Sequence, residues 1–136
     1  MTFKEFLKKF LLYGIPTGII LLIVAYGLAC WSIGAGVKSI SEEALAVYAG
    51  DTIEALMKYV DSEEQSLQQR NRAVWALGQI GDPKALPVLE KFYTGEQCDH
   101  SQSLCQHELE KAIKACKGSF NAGRWAWLRY VPKGAE

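Results

Sequence analysis

The 136-residue sequence has only two histidines and no surplus of charge, with 15 Lys+Arg against 15 Asp+Glu. A chain of zero formal charge has no overall pull toward nucleic acid. No segment alternates apolar and polar residues over a strand's length, so β-structure is not expected. Glycine patterns that cradle phosphate are missing. No nucleophile, base and orienting group can be assembled, because both histidines lie in or beside one segment, 95–107. Catalysis is therefore not expected, and no cofactor is implied. One further absence is local. Between Phe10 and Val37 there is no Asp, Glu, Lys or Arg. As a helix such a run is roughly 42 Å long, more than the roughly 30 Å hydrocarbon core of a bilayer.

That run makes residues 11–31 a transmembrane helix, with Tyr13 and Trp31 near its ends where aromatic rings favour the interface. Residues 1–10 carry Lys4, Lys8 and Lys9 against Glu5, whereas Lys38 is offset by Glu42 and Glu43 beyond the run. The positive-inside bias puts the N-terminus in the cytoplasm and the remainder on the periplasmic or outer side of a bacterial-type inner membrane. Two competing readings stay open: a cleaved signal peptide, whose apolar core is normally shorter, and a lipoprotein signal ending at Ala29-Cys30. At about 100° per residue, Gly14, Gly18, Ala25, Ala29, Ser32 and Gly36 fall within about 60° of one another. A narrow face of small residues lets two helices pack closely in lipid.

Gly34-Ala35-Gly36 reads as a break, so residues 32–50 are expected as a linker and a short helix from Ser41. Helix starts follow at Asp51 with Glu54, at Ser66 with Gln69, at Asp82-Pro83 and at Ser103 with Gln106. The helices they open carry apolar faces Ile53, Leu56, Met57, Val60; Ala73, Ala76, Leu77, Ile80; Leu86, Leu89, Phe92; and Leu109, Ala112, Ile113, Cys116. Ile53, Leu56 and Tyr59 superpose on Leu86, Leu89 and Phe92 at an offset of 33, and Ala73, Ala76 and Leu77 on Leu109, Ala112 and Ile113 at 36. Paired helices repeating at this period predict a solenoid.

Arg72-Ala73-x-x-Ala76-Leu77-Gly78-x-Ile80-Gly81-Asp82-Pro83-x-Ala85-Leu86-Pro87-x-Leu89 resembles the short HEAT-like repeat first associated with phycobilisome lyases. The likeness extends over 51–117, but Glu108 replaces the motif's arginine in the second repeat and no Ala-Leu-Gly follows. Some relatives attach bilins or belong to redox enzymes, and many are scaffolds, so the resemblance implies architecture more than chemistry. The expected chain is all-α: a cytoplasmic segment 1–10, the membrane helix 11–31, the linker 32–50, a HEAT-like α-solenoid of about two helix pairs over 51–118, and a Trp/Arg-rich tail 119–136. About three repeats are usually needed to bury such a stack. Two repeats leave apolar ends for the tail, the bilayer or another protein to cover.

The segment 95–107 holds Cys98, His100, Cys105 and His107. A Cys98–Cys105 disulfide, free thiols and a zinc site are all open, the disulfide suiting an oxidising compartment. Residues 41–102 carry 5 Lys+Arg and 11 Asp+Glu, net −6, whereas 103–136 carry 6 and 3, net +3. The basic end includes Arg124, Trp125, Trp127, Arg129 and Tyr130, residue types enriched at binding hot spots and at membrane interfaces. Partner contact, bilayer contact and capping of the chain's own stack are open for them. Trp75 sits among polar residues of its helix and is a second candidate contact. The functional expectation is a non-catalytic accessory subunit or scaffold of a membrane protein complex, with other subunits and the lipid bilayer as partners and no nucleic acid. The alternatives are a cofactor-handling or redox protein built on the Cys/His segment, and a membrane-tethered adaptor recruiting soluble partners.

Overall fold

A computed structural model of the chain describes residues 2–99 and 101–134. These residues are helical or irregular, with no strand among them. Helix α1, Phe3–Lys9, begins with a reciprocal cap. The Thr2 hydroxyl accepts the Glu5 N–H, and the Glu5 carboxylate accepts the Thr2 N–H. A π-helical turn, Phe10–Gly14, joins it to α2, Ile15–Val47. The wide turn lies just ahead of Pro16, which lacks an N–H and crowds the carbonyl four residues back.

Helix α2 corrects the expected boundaries. It runs through Gly34-Ala35-Gly36 without a break, and Ser41 lies inside it rather than at a helix start. Glycine costs a helix interior only about 1 kcal/mol. Against that, Cys30, Gly34, Val37, Ser41 and Ala44, spaced three or four apart, are buried on one face with Ile40. Full burial of Val37 or Ile40 alone contributes about 1.5–3 kcal/mol. The chain therefore has no linker at 32–50. The boundary falls within α2: residues 10–29, from the π-helical turn into α2, are left uncovered, and from Cys30 onward α2 is part of the core.

The remaining helices begin largely where the caps predict. Asp51 accepts the Glu54 N–H and opens α3, Thr52–Asp61. Ser66 accepts the Gln69 N–H and opens α4, Leu67–Ile80, which ends on Gly81 at φ +63°. Asp82 and Pro83 start a single 3-10 turn that leads into α5, Leu86–Phe92. Helix α6 is Gln106–Cys116. It starts later than the Ser103–Gln106 pattern predicts, for a reason found in the cysteine loop.

Helices α4 and α6 run parallel, because Asn71 meets Cys105 and Gly78 meets Ala112. A Cβ on Gly78 would lie 2.9 Å from the Ala112 Cα, so this approach requires glycine. Helix α2 runs antiparallel to α4: Gly36 lies under Trp75, and Glu43 meets Gln69 and Arg72. The tail forms α7, Arg124–Trp127, and a 3-10 turn, Leu128–Tyr130, that pack back on α2 and α4.

Candidate interaction surface

Trp75 lines a groove on the body. One edge of its indole covers Gly36, where a Cβ would meet the ring at 3.0 Å. Its other side faces a groove of about 520 Å³ bounded by Gly78, Gln79 and Ala112 at the floor, and by Glu108, Lys111 and Phe120 at the rim. A shallower patch continues from Trp75 and Glu108 to Gln68, Asn71 and Arg72. The rim pairs Lys111 with Glu108 at 3.3 Å. The groove thus offers an aromatic wall and a polar edge, features suited to a peptide or helix.

The tail residues divide. Arg124 and Trp127 are engaged inside the chain. The Trp127 indole N–H donates to the Gln79 carbonyl at 3.1 Å, and an Arg124 guanidinium N–H donates to the Gly81 carbonyl at 2.9 Å. Those carbonyls are the unpaired acceptors at the C-terminus of α4, where a cation is also favoured. The Tyr130 ring covers Gly34, where a Cβ would clash at 2.5 Å. Trp125 is 62% exposed, with the Arg129 guanidinium 5.0 Å from its ring centroid.

The small-residue face is likewise divided. Gly36 is covered by Trp75. Gly14, Ala25, Ala29 and Ser32 are exposed, and a Cβ on Gly18 would meet nothing within 4 Å. Cys30, at the edge of the body, is buried.

The cysteine loop brings Cys98 and Cys105 together with their sulfurs 3.2 Å apart, as free thiols rather than the bonded pair expected of an oxidising compartment. Cys105 is the N-cap of α6 but supplies no side-chain cap. Cys98 takes that role: its sulfur accepts the His107 N–H at 3.3 Å. That contact, and then the Cys105 thiol, pull the Cys98 thiol below its usual range, whereas burial pushes Cys105 up. Cys116, deeper in the core, is pushed up to about 11 by burial. His107 is exposed, and His100 lies outside the described residues. Among the described residues, no three His, Cys, Asp or Glu side chains gather to hold a metal ion.

Sequence reasoning missed the residues that hold this loop. Gln106 is buried; its carbonyl oxygen accepts the Thr94 and Gly95 N–H groups, and its amide donates to the Phe92 and Leu104 carbonyls. Asn71 accepts the Cys105 N–H at 2.8 Å. A glutamine in a capping pattern gives no hint of such a role. Arg70 was missed too. It is buried, donates to the Val60 carbonyl at 2.8 Å and lies 5.2 Å over the Phe92 ring.

Residues 27–100 match the family model for HEAT repeats, more than half of the chain, and the chain belongs to that family. The match begins within α2 and so includes the buried half of that helix. No curated protein and no solved structure matches the chain. HEAT repeats point to a helical scaffold for protein–protein contacts.

Proposed function

We propose that the chain is a non-catalytic, single-span accessory subunit that docks a short HEAT-repeat body, of the phycobilisome-lyase type, on a larger membrane protein complex. The observation that carries this reading is α2. Residues 10–29, the π-helical turn and the uncovered start of α2, would rise roughly 30 Å as a helix, the thickness of a hydrocarbon core. The helix as a whole is long and apolar enough to cross a bilayer. Lys4, Lys8 and Lys9 support a cytoplasmic N-terminus, with the body on the periplasmic side. The span would pack on a partner helix through Gly18, Ala25 and Ala29. The groove beside Trp75 would take a soluble segment of the same complex.

A Cβ added at Gly18 or at Gly27 would meet no neighbouring atom of this chain within 4 Å, so a larger residue at either leaves the fold undisturbed. The test is co-purification of the full chain from gently solubilised native membranes. Gly18→Leu with Ala25→Leu is expected to lower recovery of the complex about fivefold to a hundredfold, the effect of about 1–3 kcal/mol of overpacking. Gly27→Leu, on the opposite face, is expected to have no effect. Equal recovery of both would remove the packed span from the proposal.

A second reading is favoured by the adjacent thiols. On an oxidising side of the membrane, Cys98 and Cys105 would join and lock the start of α6 to its loop. Non-reducing peptide mapping of chain taken from native membranes is expected to find the Cys98–Cys105 link. Two alkylatable thiols there would count against both the bond and the outward placement of the body.

A further inference from the structure

The contacts along α2 determine which end of the body meets the apolar segment. Glu43 lies beside Gln69 and Arg72, Gly36 beneath Trp75, and Gly34 beneath Tyr130. Each step toward the N-terminus of α2 is therefore a step toward the C-terminus of α4 and the tail. Further toward that end, the Tyr26 hydroxyl is 3.5 Å from the Ala122 carbonyl. Burial on α2 begins at Cys30, so the tail sits level with the end of the uncovered run. The thiol pair, tied to Asn71, lies at the opposite end.

The tail-bearing end has its own chemistry. Residues 111–134 contain Lys111, Lys114, Lys117, Arg124, Arg129 and Lys133 and no Asp or Glu. Phe120 is 93% exposed, and Trp125 and Trp31 are each 62% exposed. In water an exposed phenylalanine and exposed tryptophans are unfavourable. An indole with a guanidinium over its face has an apolar body and a cationic tip, which suits the headgroup layer of a bilayer. Anionic headgroups add attraction for nearby basic residues.

We propose that the end of the body carrying Phe120, Trp125 and Arg129 rests on the phospholipid interface of the bilayer that α2 enters. This rests on the reading of α2 as a span. The helix then fixes the point of entry and the tail fixes the tilt of the body. The groove between Trp75 and Phe120 is held at the membrane surface.

The test uses the full chain reconstituted into vesicles of phosphatidylcholine and phosphatidylglycerol, with and without bromine near the headgroup end of the acyl chains. Bromine in the lipid and iodide in the water quench indole emission from opposite sides. Trp125→Phe and Trp31→Phe are compared with wild type. Both variants are expected to lose part of the emission that brominated lipid quenches, and Trp125→Phe to leave the iodide-quenched part unchanged. Loss from Trp31→Phe alone, with Trp125→Phe losing an iodide-quenched part instead, would overturn the docking and leave the span standing. Loss from neither would overturn the span reading and the docking with it.

Discussion

Glu43 joins three helices through single side chains. Its carboxylate accepts the Tyr59 hydroxyl at 2.6 Å and the Gln69 amide at 2.8 Å, and Arg72 lies 3.8 Å away. Tyr59 is 1% exposed. Burial, and then the neighbouring Glu43, push its phenol up to about 12. An unfolded tyrosine ionises near 10. Below that pH the phenol is protonated in both states and its contribution to stability is complete. Between about 10 and about 12 the unfolded chain releases the proton and the folded chain keeps it. Stability then falls as pH rises, by up to about 1.4 kcal/mol per pH unit. Tyr59→Phe is expected to cost about 1 kcal/mol at neutral pH, the usual worth of one hydrogen bond. It is also expected to flatten the loss between pH 10 and 12 relative to wild type. Denaturant midpoints measured across that range for both proteins decide it, and parallel curves would refute the assignment to Tyr59.

At the scale of elements, the helices of the repeats were legible because their signals are local. Asp51, Ser66 and Asp82 cap their own neighbours, and the faces Ala73–Ile80 and Leu109–Cys116 follow helical spacing. The errors arose where a distant partner decides. Gly34-Ala35-Gly36 reads as a break only until Trp75 and Tyr130 are known to need the space that its two glycines leave. Ser103 reads as a cap until a sulfur seven residues before Cys105 supplies one instead. The departure of the second repeat also has a structural cause. Gly78 is small because α6 presses on α4 there, and Lys114 stands at the matching place on α6, the last long helix of the stack. Arg72 likewise faces Glu43 on α2, whereas Glu108 pairs with Lys111 on its own helix. In the tail, Trp125 and Trp127 are two residues apart and chemically identical. Only the fold separates the buried one from the exposed one.

For the whole molecule, the difficulty is a stack too short to cover its own apolar surface. Two devices supply the cover. The C-terminal half of α2 acts as an additional layer against α3 and α4, with Val37, Ile40 and Ala44 fully buried. The tail closes the end nearest the uncovered part of α2. Trp127 is 5% exposed there, Arg124 holds the Gly81 carbonyl, Val131 packs on the core and the Thr52 hydroxyl donates to the Pro132 carbonyl. The tail is thus part of the fold at Trp127 and a free surface at Trp125. Truncating a buried tryptophan typically costs about 3–5 kcal/mol, whereas an exposed substitution usually stays within about 0.5 kcal/mol. Trp127→Ala is expected to fall in the first range and Trp125→Ala in the second. Chemical unfolding of the full chain in detergent micelles, followed by near-UV circular dichroism, measures both. Similar losses for the two variants would mean that the tail closes the stack through both indoles, and the free surface at Trp125 would be lost with that result. A small loss for Trp127→Ala would mean instead that α2 alone covers the stack and that the tail is an appendage.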